Sequence, residues 1–252
     1  MTAVLGLMAF EFSDWKSPEK DHAGSGQIVE KEDEEKIDTY TNIVYQIGPR
    51  HSPIKKSEID QATDLSTFFT PSELQEINSL NFTEIIIVKN ESQSNEREVG
   101  YSNKLTKAQL KLLQSYGYST GFSIRADFEG INKETGEMES RWFNPHLTIV
   151  PETQAEYSEG ADELASHFKE NTWNVRKNVA AGNFRPAFVS FTVTTSGDIK
   201  DVKLHGSNFP AIDAKMIELI HATTGKWVPA RNAKGEKVEQ EIVVAFGPNN
   251  GC

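Results

Sequence analysis

Cysteine is almost absent from this sequence, since Cys252, the last of 252 residues, is the only one. A single thiol cannot form a disulfide within its own chain, so the cysteine content does not indicate a redox compartment. Metal-site spacings are also missing, because neither H-E-x-x-H nor C-x-x-C occurs. The phosphate loops GxxxxGK[ST] and GxGxxG do not occur either. These gaps predict a chain with no metal site and no cofactor.

Basic residues are in short supply. Lys and Arg number 26 against 37 Asp and Glu, which gives a net charge of −11. Acidic and basic residues balance from Tyr157 onward, so the excess negative charge lies in residues 1–156. Nucleic acids and anionic lipid headgroups both favour Lys and Arg. The charge therefore argues against either of them as a partner.

A catalytic constellation is not evident among the histidines, of which there are six. His146 follows Asn144 and Pro145 at the start of an apolar run, and a packed core histidine is the favoured interpretation over a catalytic one. The sequence is therefore predicted not to be an enzyme. An enzyme hidden in residues 37–150 stays open as the weaker alternative, with His146 and Arg125 as the side chains to test.

The N-terminal part predicts two segments without a core. Residues 1–12 are apolar but too short to span a bilayer, and they carry Glu11. Two interpretations are open: the remnant of a membrane helix that begins upstream, or an amphipathic or frayed end. Residues 13–36 contain Pro, Gly and Ser early and then a run of acidic residues, which predicts a flexible acidic linker.

Residues 37–150 predict an α+β module of unknown role. A strand is predicted at residues 40–47, and a helix over 57–69 is predicted to stop at Thr70 and Pro71. The β-branched run in Phe82–Lys89 predicts a central strand. Thr106 is predicted to cap a helix. Residues 122–130 and 140–150 flank a turn cluster and predict a hairpin.

The most informative stretch runs from Pro186 to Gly247. Val189, Phe191 and Val193 alternate with polar residues, which predicts a half-buried strand. Gly197 lies in a turn, and a second strand follows it. Ile212, Met216, Leu219 and Ile220 have the spacing of one helical face. A last strand is predicted over residues 238–246, so the order is ββαβ, with a leading helix at 160–171.

This stretch resembles the C-terminal domain of the TonB energy-transducer family. The residues that carry the resemblance are FTVTTSGDIKDVKL, the helix start at Ile212 and Asp213, and KWVPARNAKGEKVEQEIVVAF. The structural motif residues are Gly197, Asp213, Trp227, Pro229 and Gly235. The resemblance implies a second module of the TonB type at residues 157–247, followed by a tail at 248–252.

The family resemblance also implies a function in the cell envelope of a Gram-negative bacterium. Such a protein lies in the periplasm, with an N-terminal anchor in the inner membrane. It works with a proton-driven motor complex and binds a peptide segment of an outer-membrane, TonB-dependent receptor as an added β-strand. In this way it transmits energy for transport. The chain departs from the family in having no complete membrane helix and no Pro-rich spacer.

The final strand is the predicted peptide-binding edge, because an open sheet edge presents backbone groups to which an extended peptide can pair. The predicted edge consists of Val238, Glu239, Gln240, Glu241, Ile242 and Val243. An equally weighted interpretation is that this strand pairs within the chain, or with the sheet of residues 82–150, and binds nothing. A periplasmic adaptor or scaffold without a motor is the alternative function, and a homodimer stays open.

Overall fold

The computed structural model describes residues 43–177, 179, 185–207 and 209–248. The predicted segments at 1–12 and 13–36, and the tail after Pro248, lie outside these residues. Five α-helices occur in the described part: α1 (Lys56–Gln61), α2 (Pro71–Glu76), α3 (Lys107–Gln114), α4 (Ala161–Arg176) and α5 (Pro210–His221).

Strands make up most of the regular structure in the described residues. They are β1 (Ile43–Gly48), β2 (Ser52–Lys55), β3 (Ser79–Lys89), β4 (Ser92–Gly100), β5 (Gly121–Ile131), β6 (Met138–Phe143), β7 (His146–Val150), β8 (Glu156–Tyr157), β9 (Ala187–Val193), β10 (Ile199–His205), β11 (Trp227–Val228), β12 (Ala230–Arg231), β13 (Lys237–Val238) and β14 (Gln240–Pro248). The predicted α+β class is confirmed.

The chain divides into two compact units that interleave along the sequence. The first unit holds Pro49–Gln154 and Arg231–Gln240. The second holds the described residues up to Gly48, those from Ala155 to Ala230, and those from Glu241 on. The units therefore differ from the predicted modules in two segments, since β1 counts with the second unit and residues 231–240 with the first.

A six-stranded sheet forms the first unit. Its order is β2-β7-β5-β3-β4, and β6 pairs with the end of β5. Only the β2–β7 pairing is parallel, and the other pairings in this sheet are antiparallel. The predicted hairpin is present as β5 and β6, after which the chain continues into β7. The predicted central strand is β3, which lies between β4 and β5.

The core of the first unit consists of alternate side chains of β3 and β5 packed against short helices. Ile85 and Ile87 belong to the same buried cluster as Phe122 and Ile124. Ile59 of α1 and Leu113 of α3 complete this cluster. Thr106 caps α3 as predicted: its hydroxyl accepts from the Gln109 amide at 3.1 Å, and the Gln109 side chain accepts from the Thr106 amide at 2.9 Å.

The helix predicted over residues 57–69 is wrong in extent. It ends at Gln61, and a 3-10 turn at Leu65–Thr67 follows. Thr70 does not stop a helix but begins α2, because its hydroxyl accepts from the Glu73 amide at 3.3 Å and Glu73 accepts from the Thr70 amide at 2.6 Å. Pro71 fits the first position of α2, where no amide hydrogen is needed.

A four-stranded sheet forms the second unit, in the order β1-β14-β9-β10. Its elements follow one another as α4, the antiparallel β9–β10 hairpin, α5 and β14. Alternate residues of β9 are buried, in agreement with the predicted period of two, and they include Val189, Phe191 and Val193. The buried face of α5 contains the four residues that the helical spacing predicts to share one face: Ile212, Met216, Leu219 and Ile220.

The leading helix α4 is longer than predicted and extends to Arg176. Its buried stripe consists of Leu164, Phe168, Thr172 and Arg176, each four residues after the last. Trp173 is not part of this buried stripe. It lies within the helix, one position off the buried stripe, and remains 41% exposed.

Two of the predicted motif residues meet at one place. Gly197 has φ +90°, and a Cβ on it would lie 2.3 Å from the carbonyl oxygen of Trp227. The Trp227 indole is buried beside Phe191 and Tyr157, and its N–H donates to the Thr223 hydroxyl at 3.0 Å. The turn of the hairpin and the Trp segment after α5 therefore pack backbone against backbone.

The other three motif residues have separate local roles. Asp213 is buried in the first turn of α5 and accepts a hydrogen bond from the Ser207 hydroxyl at 2.6 Å. Pro229 lies between β11 and β12. Gly235 has φ +78° in the turn before β13, the left-handed region that glycine adopts without strain.

Gly197→Ala should destabilise the protein more than Gly136→Ala. Both residues have positive φ, which costs an L-residue about 1–2 kcal/mol, but a Cβ at Gly136 would meet open space. At Gly197 the contact with the Trp227 carbonyl adds to that cost. Urea denaturation of the two variants measures the difference, and equal losses of stability would contradict the close packing.

Candidate strand-binding edge

The six predicted edge residues do not lie on one open edge. Val238 belongs to β13, which pairs with β12 in a two-stranded ribbon, and Glu239 separates β13 from β14. Gln240 begins β14 and donates from its side-chain amide to the Gln154 side chain at 3.1 Å. The prediction of a single strand over residues 238–246 is therefore wrong, because the backbone changes pairing partner at Glu239.

The outer side of β14 is occupied by β1. Six residues pair antiparallel, from Ile43 opposite Pro248 to Gly48 opposite Val243. The predicted edge residue Val243 is thus paired on this side by the chain itself. On its other side β14 is hydrogen-bonded to β9. Of the two interpretations left open by the sequence, pairing within the chain is the one observed for residues 243–248.

The side chains of β1 alternate between the two faces of the sheet. Ile43, Tyr45 and Ile47 face the same way as their partners Phe246 and Val244, because directly opposed residues share a face. Ile43 is buried, and Tyr45 and Ile47 are half-buried, whereas Val44 and Gln46 are exposed. β1 therefore presents an apolar face at every second position.

Tyr45 makes the most specific contact of β1. Its ring lies 5.9 Å from the Phe168 ring of α4 and 6.5 Å from the Phe246 ring of β14. Its hydroxyl lies 2.8 Å from the Thr172 hydroxyl oxygen. Both bonds can form together only if Thr172 donates its one hydroxyl hydrogen to the Phe168 carbonyl at 2.7 Å and Tyr45 donates to Thr172.

Burial raises the pKa of Tyr45, and the Thr172 hydrogen bond and the nearby positive charge of Arg176 partly oppose that rise. Arg176 is itself only 3% exposed. Its Nη2 donates to the Lys169 carbonyl at 3.0 Å, and its guanidinium lies 5.0 Å from the Trp173 ring centre. Burial lowers the pKa of Arg176, and Tyr45 opposes that shift. The part of α4 that faces β1 thus carries two buried polar side chains, Thr172 and Arg176, next to apolar ones.

The opposite margin of this sheet, β10, is less suited to strand addition. Its pairing with β9 shifts register between Lys200 and Lys203, and Asp201 has φ 55°. A bulge bends and twists a strand, and charged side chains discourage another strand from pairing there. The sheet therefore ends in β1 on one side and in the bulged strand β10 on the other.

Arg125 and His146, the residues named for the enzyme alternative, lie on β5 and β7 of the first unit. Arg125 pairs with Asp127 at 3.1 Å and lies over the Phe82 ring. The His146 ring lies 5.3 Å from that of His51. Burial, with smaller contributions from His146 and Arg50, lowers the pKa of His51 to about 4. Within the described residues no group of three or more His, Cys, Asp or Glu could hold a metal ion.

Gly117–Gly121 reads G-Y-S-T-G, which has the G-x-S-x-G spacing of a nucleophile elbow. Ser119 has φ 65°, the left-handed backbone that a nucleophile elbow also uses. The context differs, because an elbow joins a strand to a following helix, whereas this segment joins α3 to the following strand β5. The spacing alone therefore does not define a nucleophile.

No protein-family model matches the sequence, and no curated protein or solved structure matches it either. None of the helices in the described ranges combines the length and the apolar character that crossing a bilayer requires.

A double-mutant cycle with Tyr45→Phe and Thr172→Val should show coupling of about 1 kcal/mol in the free energy of unfolding, the usual net value of one hydrogen bond. Each single variant removes the same bond, so the double variant should cost less than the sum. Urea denaturation gives the four values. Additive losses would show that the two hydroxyls do not interact.

The pH dependence of stability should carry a contribution from His51. Its folded pKa, about 4, lies below the unfolded value of about 6.5, so the unfolded state takes up a proton first as pH falls. The contribution of His51 to the free energy of unfolding is therefore present above pH 6.5 and is lost as the pH falls from 6.5 to 4. We expect this contribution to be about 1–2 kcal/mol, allowing for partial solvent screening.

His51→Gln should flatten this loss, measured by urea denaturation at a series of pH values. His221→Gln, on the exposed end of α5, is the control for replacing a histidine by glutamine elsewhere in the chain. A His51→Gln profile that follows the unsubstituted protein would show that the histidine is not protected from protonation.

Proposed function

We propose that this chain is a non-enzymatic cell-envelope protein whose second unit binds an extended peptide segment by β-strand addition. The partner would be a segment of an outer-membrane transporter, as the TonB resemblance implies, and the bound strand would transmit energy for transport. The observation that carries the proposal is the six-residue antiparallel pairing of β1 with β14. An extended segment already lies where the added strand would bind.

The order of elements supports the proposal. α4, the β9–β10 hairpin, α5 and β14 follow in the order of the TonB pattern, including a leading helix. The sheet order places β1 on the far side of β14, where the added strand would bind. The ββαβ description and the TonB-like character of this unit belong to the proposal.

The mechanical argument favours this geometry for force transmission. A strand pulled along its own axis loads its ladder hydrogen bonds together, whereas peeling breaks them one at a time. Each bond contributes only about 0.5–1.5 kcal/mol net, so a short strand resists pulling mainly because the bonds share the load. A peptide added to β14 would be held in this way.

A second candidate function is an adaptor or scaffold of the same fold without a motor. The observation that favours it is again the pairing of β1 with β14, if β1 is a permanent strand of the sheet. A sheet whose last strand already has a neighbour on both sides has less need of a partner there. The two candidates differ in whether a transporter segment contacts β14.

Photocrosslinking from β14 tests the transporter proposal. A benzoylphenylalanine at Glu241, just beyond the end of β1, should crosslink to a periplasmic segment of a purified outer-membrane transporter from the same organism. The same probe at Glu218, which is on the surface of α5 and 67% exposed at its side chain, should not. The crosslinked peptide is identified by mass spectrometry.

The experiment is run with the full chain and with Tyr45→Ala, in which β1 is weakened. Crosslinks from Glu241 in either chain would support the transporter proposal. Their absence from both, with a transporter known to be folded, would contradict it and leave the scaffold function as the stronger candidate.

A further inference from the structure

We infer that β1 occupies the position on β14 where the partner's strand would bind, and that the partner segment has an apolar-x-tyrosine-x-apolar pattern. This inference rests on the proposed strand-addition function and specifies its ligand. β1 itself reads Ile-Val-Tyr-Gln-Ile-Gly. A competing segment would pair with residues 243–248 of β14 and would have to displace β1 to do so.

The contacts of β1 define what the site accepts. Positions two apart, occupied by Ile43, Tyr45 and Ile47, point to the face that carries Val244 and Phe246. The central position has an aromatic surround, formed by Phe168 and Phe246. A large planar side chain fits there, with β-branched or other apolar residues two positions to either side.

The hydroxyl at the central position is selected by α4. When Thr172 donates its hydrogen to the Phe168 carbonyl, its oxygen can only accept from the neighbouring strand. A tyrosine supplies the hydrogen that this oxygen takes, whereas a phenylalanine would leave a buried acceptor unsatisfied. The site therefore distinguishes tyrosine from phenylalanine by one hydrogen bond.

The position and the exposure of β1 are those of a strand that another segment could replace. It lies at the end of the sheet, and its other face is exposed, with Val44 at 38%. Of its six residues only Ile43 is buried. Pro49 follows at once and has no amide hydrogen to continue the ladder.

The remaining core of the unit comes from the other elements. Its buried residues include Leu164, Phe168, Val189, Phe191, Ile212, Met216, Ile220, Trp227, Val244 and Phe246. Releasing β1 would thus remove one margin of the sheet and leave the central packing in place.

A tethered strand competes strongly with a free one. A segment on the same chain is present at an effective concentration in the millimolar range when its linker is short and flexible. A free peptide therefore binds weakly while β1 is intact and more tightly when β1 is weakened or removed from β14.

A reversible lock on β1 provides the test. Gln46 and Ala245 are directly opposed, at a spacing that suits a disulfide. The variant Gln46→Cys, Ala245→Cys, Cys252→Ser of the full chain can hold β1 in place when oxidised and release it when reduced. The probe is a fluorescent synthetic peptide with the sequence IVYQIG, and binding is measured by anisotropy.

The reduced protein should bind the peptide at least about tenfold more tightly than the oxidised protein, since only the reduced form lets β1 leave. Gln46→Cys with Cys252→Ser cannot form the lock and should respond to neither oxidant nor reductant. A scrambled peptide of the same composition should not bind. Equal affinity of the oxidised and reduced forms would overturn the inference.

A second variant tests the central position without the lock. Tyr45→Ala should raise the affinity for the IVYQIG peptide by at least about tenfold, because loss of a half-buried aromatic ring weakens the competing strand. The peptide with phenylalanine in place of tyrosine should bind this variant about 3- to 10-fold more weakly. No binding to Tyr45→Ala, or no preference for tyrosine, would overturn the inference.

The outcomes separate this inference from the proposed function. Transporter crosslinks from Glu241 that persist in the oxidised lock would support the function and overturn the displacement of β1. Peptide binding that depends on the lock, with no transporter crosslink from either chain, would support the exchangeable strand and contradict the transporter as its partner.

Discussion

Backbone hydrogen bonding at the margin of β14 is the constraint on which the second unit depends. A sheet margin presents N–H and C=O groups that must find partners in water or in another strand. Here the partner is β1, a segment about two hundred residues earlier in the chain. The fold thus meets this requirement within one molecule, and in the proposed function another extended segment would meet it instead.

Helix α4 adds selectivity to what would otherwise be a general backbone interaction. Its buried stripe is apolar at Leu164 and Phe168 and polar at Thr172 and Arg176. Buried polar groups are costly unless their hydrogen bonds are met. Because Thr172 is satisfied by one hydroxyl on the neighbouring strand, the helix favours a particular side chain at one position of a strand that is otherwise recognised through its backbone.

Local patterns predicted much of the fold. The alternation in β9, the β-branched run in β3 and the capping residue Thr106 each act over a few residues, and all three are present. The prediction for Thr70 is wrong because a proline can either follow the end of a helix or occupy its first turn. Only the capping hydrogen bonds between Thr70 and Glu73 show that Pro71 is in the first turn. The neighbour of β14 could not be predicted, since pairing between distant segments leaves no signal in either segment alone.

The interleaving of the two units has a consequence for any fragment of this protein. Residues 157–252 look like a natural domain in the sequence, but a fragment cut there would lose β1, which precedes the first unit, and would keep residues 231–240, which are compact with that unit. Such a fragment would present a bare apolar margin over residues 243–248. It would be expected to associate with itself, or with any extended chain offered to it, whether or not the intact protein does so.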